Sequence, residues 1–126
     1  MIITTNHDLF VDTSGWSCYL VEDEEHHEDA ITICQRYIES GRNLVTTNYV
    51  LSELFALLMA RKRLPRSAIV AAVETMITQE FIHIIQITEE IDTATLDLLK
   101  NRQDKAWSWV DASSFVVMQQ RGSYML

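Results

Sequence analysis

Four carboxylates stand where an acid can do chemistry: Asp12, Glu53, Asp104 and Asp111. Asp12 closes the apolar run Leu9-Phe10-Val11 and is followed by two hydroxyl residues, Thr13 and Ser14. A continuous run of this kind reads as a short buried strand, so Asp12 falls at the strand's carboxyl end, the edge of an open α/β sheet where ligands bind. An aspartate in that place also serves to cap a following helix. Glu53 falls in the second turn of a helix predicted over Tyr49 to Lys62, on the rim of the stripe made by Val50, Leu51, Leu54, Phe55 and Leu58. From that rim it can lean over the sheet edge toward Asp12. Asp111 follows Ser108 by three residues, the spacing of a capping box with Asp in place of the usual Glu or Gln. It is either a cap alone or a third acid at the same edge, and Asp104 precedes it by seven residues.

The chemistry of such a set follows from charge. Carboxylates ~4 Å apart repel by about 4 kcal/mol at an effective dielectric near 20, so a cluster favours protonation or a bound cation. All-oxygen ligands select Mg²⁺ or Mn²⁺. Ions of this kind activate a water for in-line attack on a phosphodiester and stabilise the leaving oxygen. In that reading the acids hold metal, and Glu53 or Asp104 also orients the water.

Elements able to position the four acids alternate along the chain. Leu44-Val45-Thr46 is a second strand, and Thr47-Asn48 caps the helix that carries Glu53. Phe81 to Ile87 is the clearest strand, with His83 in its middle read as a packed or edge residue rather than a base. Helices are predicted over Ser14 to Val21, through Ala30, Ile33, Cys34, Tyr37 and Ile38, from Pro65-Arg66-Ser67 onward, after Thr88, and from Ser108 to near Gly122. Strand and helix in turn imply a single domain over residues 1–126, a three-layer α/β/α sandwich around a parallel sheet. At 126 residues with 48% hydrophobic content, the chain can bury one core and is too short to split into two.

Composition narrows the partners. A net charge of −8 opposes non-specific nucleic-acid binding through a broad basic face. Bound cations and a local basic patch can still admit a nucleic-acid substrate. The one such patch is Arg61-Lys62-Arg63 with Arg66, either a solvated helix end or a guide for phosphates. His26-His27 lies in an acidic run that reads as a solvated loop and helix start. Two cysteines, Cys18 and Cys34, have neither metal-knuckle spacing nor disulfide density, and no secretory signal or stretch of ~20 apolar residues is present, so a cytoplasmic protein with reduced thiols is expected.

Three segments, Phe10-Val11-Asp12-Thr13-Ser14, Thr47-Asn48-Tyr49-Val50-Leu51-Ser52-Glu53-Leu54, and Asp104-Lys105 through Ser108-Trp109-Val110-Asp111, resemble the PIN domains. The likeness is greatest to the VapC-type ribonuclease toxins of prokaryotic toxin–antitoxin pairs, and it covers nearly the whole chain in order and spacing. It implies that Asp12, Glu53 and Asp111 bind Mg²⁺ or Mn²⁺, that Asp104 is an additional acid, and that Ser14 and Ser52 are polar neighbours. It also implies an RNA substrate, a small antitoxin partner and a homodimer. Similar proteins run on into a further strand carrying another acid, whereas here the sequence stops at Leu126. The last edge strand is therefore expected to be missing or rudimentary, with activity and solubility reduced.

Two other readings compete. An aspartyl-phosphate enzyme or receiver domain would use Asp12 as nucleophile, yet no second acid follows two residues on and no lysine ends a late strand. A non-catalytic PIN-like module that only binds an antitoxin would keep the same surface.

Overall fold

Leu9–Phe10 forms β1, and it lies inside the sheet rather than at its rim. The structure, a computed structural model, describes residues 7–126. After β1 come α1 (Thr13–Leu20), α2 (His27–Glu39), β2 (Leu44–Thr47), α3 (Asn48–Ala60), α4 (Arg66–Thr78), β3 (Ile82–Ile85), α5 (Glu89–Asn101), α6 (Trp109–Arg121) and β4 (Tyr124–Met125). All pairings are parallel and the spatial order is β3-β2-β1-β4. Parallel neighbours require crossovers, and each is made here by a pair of helices, which gives the three-layer α/β/α arrangement.

The sequence explains where these elements stop. Val11 lies beyond β1 but its N–H still bonds the Val45 carbonyl at 2.9 Å. The predicted strand Phe81 to Ile87 is trimmed at both ends. Past Ile85 the ladder is replaced by a side chain, since the Ile87 N–H donates to Asn48 Oδ1 at 2.8 Å. Thr47 and Thr88 cap α3 and α5 by accepting from Val50 and Ile91 N–H groups. Gly122, at φ 63°, ends α6 in the left-handed region that favours glycine. The chain then returns to the sheet, and the Leu126 N–H bonds the Phe10 carbonyl at 2.8 Å. The C-terminal edge strand is thus rudimentary, two residues long, and it pairs with the free side of β1.

Burial follows the continuous apolar runs. Leu9, Phe10, Val11, Leu44 and Val45 on the sheet meet Trp16, Cys34, Val50, Leu54, Leu58, Ile69, Met76, Val116 and Val117 from the helices. Each fully buried large apolar side chain contributes about 1.5–3 kcal/mol of transfer free energy. No helix among the described residues is long and apolar enough to cross a membrane.

Strand order also locates a crevice. From β1 the chain builds outward through β2 to β3, then crosses back to place β4 on the other side of β1. The order reverses between β1 and β4, and the space beyond the carboxyl ends of strands at such a reversal is where open α/β sheets bind ligands. Asp12 stands two residues past the end of β1.

Candidate active site

Asp12 does two jobs at this edge. Its backbone is extended (φ −87°, ψ −175°), and its Oδ1 caps α1 by accepting from the Gly15 N–H at 2.9 Å and the Ser14 hydroxyl at 3.1 Å. Thr13, buried in the first turn, donates its hydroxyl in a short bond to Glu53 Oε1. Glu53 is half-buried in the second turn of α3, the helix that leaves β2 at the same edge. A residue adjacent to Asp12 therefore holds the second acid in place.

Asp111 is exposed in the first turn of α6 and completes a reciprocal cap: its Oδ2 accepts from the Ser108 N–H at 3.0 Å, while Ser108 Oγ accepts from the Asp111 N–H at 3.0 Å. Capping and cleft-lining coincide in this residue. Asp12, Thr13, Ser14, Glu53, Asp111 and Ser114 line one cleft of about 560 Å³, with Val50, Leu57, Val110 and Phe115 as apolar wall and Arg61 as its cation. Ser52 is exposed and does not line it.

Asp104 is placed differently. It is exposed and outside the cleft lining, with Oδ1 and Oδ2 each 3.1 Å from Arg102 Nε and Nη2. The Arg102 bonds hold its carboxyl below the usual carboxylate range. Arg102 lies 5.6 Å from the centre of the Trp107 ring, and Trp107 packs at 4.8 Å on Phe115, a cleft residue. Asp104 is thus linked to the cleft wall only through Arg102 and Trp107.

The basic cluster divides in the same way. Arg61, at the end of α3, lines the cleft, whereas Lys62 makes a close ion pair with Glu24. Arg66 lies 4.0 Å from Met59 Sδ. His83 sits exposed on edge strand β3, and His27 starts α2 with Nδ1 2.7 Å from the Cys18 carbonyl. Neither histidine lines the cleft.

The donors in the cleft are all oxygen: three carboxylates and the hydroxyls of Thr13, Ser14 and Ser114. That set suits a hard cation such as Mg²⁺ or Mn²⁺ and not a soft one. As they stand, with Glu53 bonded to Thr13 and Asp111 to Ser108, no three acid, histidine or cysteine side chains among the described residues close into a ligand cluster. One observation supports the fit. Ser114, which lines the same cleft, has its Oγ buried with no hydrogen-bond partner among the described residues.

Two cleft residues escaped the sequence reasoning, Thr13 as the anchor of Glu53 and Ser114, whereas Arg61 is the member of the basic patch that reaches the cleft. Ser114 had a signal, since it follows Asp111 by three residues and so shares its helix face. The Thr13–Glu53 bond spans 40 residues and has no local signature.

A parallel sheet in this order, with an acid beyond its central strand and two more delivered by the helices after it, defines a class of oxygen-rich α/β sites. The PIN domain description matches residues 9–124, and the chain belongs to that family. It is a homologue of VapC-type toxin endonucleases. It is 28% identical over 114 residues to the 23S rRNA-specific endonuclease VapC20 of two Mycobacterium tuberculosis strains, covering 90% of this chain and 82% of the relative. The crystal structure of Mycobacterium tuberculosis VapC20, described as a Sarcin-Ricin loop cleaving toxin, superposes with a TM-score of 0.78 at 27% identity, over 92% of this chain and 85% of that one.

Proposed function

We propose that this protein is a Mg²⁺- or Mn²⁺-dependent endoribonuclease, the toxin of a type II toxin–antitoxin pair, acting in the cytoplasm as a homodimer and blocked by a small antitoxin. The observation that carries this reading is the convergence of Asp12, Glu53 and Asp111, from three separate elements, on one cleft at the carboxyl edge of the sheet. A cation bound there supplies Lewis acidity and an activated water for attack on a phosphodiester. The chain's own residues do the rest. Asp12, Glu53 and Asp111 hold the charge, Thr13 fixes Glu53, and Arg61 at the cleft margin attracts the phosphate backbone. Asp104, outside the cleft in its pair with Arg102, takes no part in this reading.

RNA is the substrate class because the relatives carry that activity in their names, and a structured ribosomal RNA loop is the first to try. The alternative is a catalytically weak module that binds an antitoxin, favoured by the engagement of Asp111 in the Ser108 cap. A mixed RNA pool that includes 23S rRNA separates the two. Discrete cleavage with Mg²⁺ and none with chelator supports the nuclease. Intact RNA under both conditions, beside stable binding of a small partner protein, supports the module.

A further inference from the structure

Five buried polar side-chain atoms among the described residues have no hydrogen-bond partner: Trp16 Nε1, Ser17 Oγ, Thr46 Oγ1, Ser114 Oγ and Ser123 Oγ. Only Ser114 of these lines the acidic cleft. It is 2% exposed, and a hydroxyl stranded away from both water and partners carries a free-energy penalty. Such a position calls for a partner that arrives from outside.

The helix offers a simpler remedy that Ser114 does not take. Helical hydroxyls can turn back to the carbonyl four residues earlier, as Thr32, Thr75, Thr93 and Thr95 do at 2.7–3.0 Å. Its neighbour Ser113 turns to the Val110 carbonyl at 2.8 Å. Ser114 lines the cleft one helical turn beyond Asp111, and its buried oxygen makes neither of these bonds.

We propose that Ser114 is a positioning residue of the cation site: its hydroxyl accepts a hydrogen bond from the water layer of a divalent cation held among Asp12, Glu53 and Asp111. The inference rests on the nuclease reading above and adds a residue to it. Mg²⁺ sheds water reluctantly and keeps several of its waters when bound by a few carboxylates. Those waters are polarised and donate strongly, and each needs an acceptor. A neutral hydroxyl supplies one without adding a fourth negative charge to the cleft.

Mn²⁺ binding and thermal unfolding test this without reference to catalysis. The full chain is titrated with Mn²⁺, free ion being read by its paramagnetic resonance signal, as wild type, Ser114→Ala, Ser114→Cys and Asp12→Asn. Metal-free Ser114→Ala is expected to melt at or above the wild-type temperature, because the penalty of an unmatched hydroxyl is gone. Its Mn²⁺ affinity falls by roughly five- to tenfold, about the worth of one hydrogen bond. Ser114→Cys keeps the size but is a poor acceptor, and it follows Ala. A lower metal-free melting temperature with unchanged Mn²⁺ affinity overturns the proposal and makes Ser114 structural. Unchanged affinity in Ser114→Ala beside lost affinity in Asp12→Asn removes the Ser114 role alone. Wild type that binds no Mn²⁺, or Asp12→Asn that binds it as well as wild type, removes the cation site itself and the role of Ser114 with it.

Discussion

The Thr13 hydroxyl donates to Glu53 Oε1, tying the helix after β1 to the helix after β2 at the edge where both leave the sheet. The bond means that Glu53 is not free to swing into solvent, and if Glu53 is a metal ligand, a partner that orients it affects function more than stability. Thr13→Val keeps the volume and loses the donor. Cleavage is expected to fall by about 10- to 100-fold, the range typical of outer partners of metal ligands. Stability should fall by only about 1 kcal/mol, the worth of one hydrogen bond. RNA cleavage and urea unfolding of the same preparation check this, and unchanged cleavage would make the bond merely structural.

Asp111 carries a cap and a candidate ligand in one side chain, and substitutions separate the two. Asn can still accept from the Ser108 N–H, so Asp111→Asn should stay within about 0.5 kcal/mol of wild type while cleavage drops at least about 100-fold. Ser108→Ala should show the reverse, losing about 1 kcal/mol of stability from the α6 cap with the carboxylate retained. Equal activity in wild type and Asp111→Asn would leave Asp111 a cap and nothing more.

Gly15 shows how closely the C-terminal strand sits on the site. A Cβ added there would stand 2.8 Å from the Leu126 carbonyl oxygen and 3.0 Å from Val11 Cγ1. Helix propensity alone favours alanine over glycine by about 1 kcal/mol. The closest clash is with backbone rather than with the end of a flexible side chain, so Gly15→Ala is expected to destabilise by about 1–3 kcal/mol. Thermal unfolding reads the sign, and a stabilised variant would mean that the Leu126 segment yields freely.

Burial pushes the Cys34 thiol up to about 12, so at pH 8 it stays protonated as well as inaccessible. Cys18 is only partly buried. A thiol reagent at pH 8 should label one cysteine in the folded protein and the second only in denaturant. Two equally fast thiols under native conditions would contradict the packing of α2 on the sheet.

Much of this was legible in the sequence because local rules and the fold agree. Leu9-Phe10-Val11 ended in Asp12, Thr47 and Thr88 stood before apolar stripes, and Ser108 with Asp111 spelled a cap. Each is a short-range pattern, and each appears in place. The trimmed end of β3 was not legible, because it depends on Asn48, 39 residues away in sequence, taking the Ile87 N–H. Likewise the split of the basic cluster depends on Glu24 claiming Lys62 across 38 residues. Asp104 was an additional acid by resemblance to the PIN domains, and the sequence itself shows only that it is near Asp111. Its bonds to Arg102, two residues back, are a side-chain choice that spacing does not specify.

The central claim is that Asp12 and Glu53 work together in a cation-dependent cut of RNA. The most direct measurement is cleavage of one RNA pool by wild type, Asp12→Asn and Glu53→Gln, each with Mg²⁺ and with chelator, at matched folded concentration. Wild type should cut only with Mg²⁺, and both variants should lose the cut while melting close to wild type. The same residual cleavage in all three proteins, or cleavage indifferent to the metal, would contradict it.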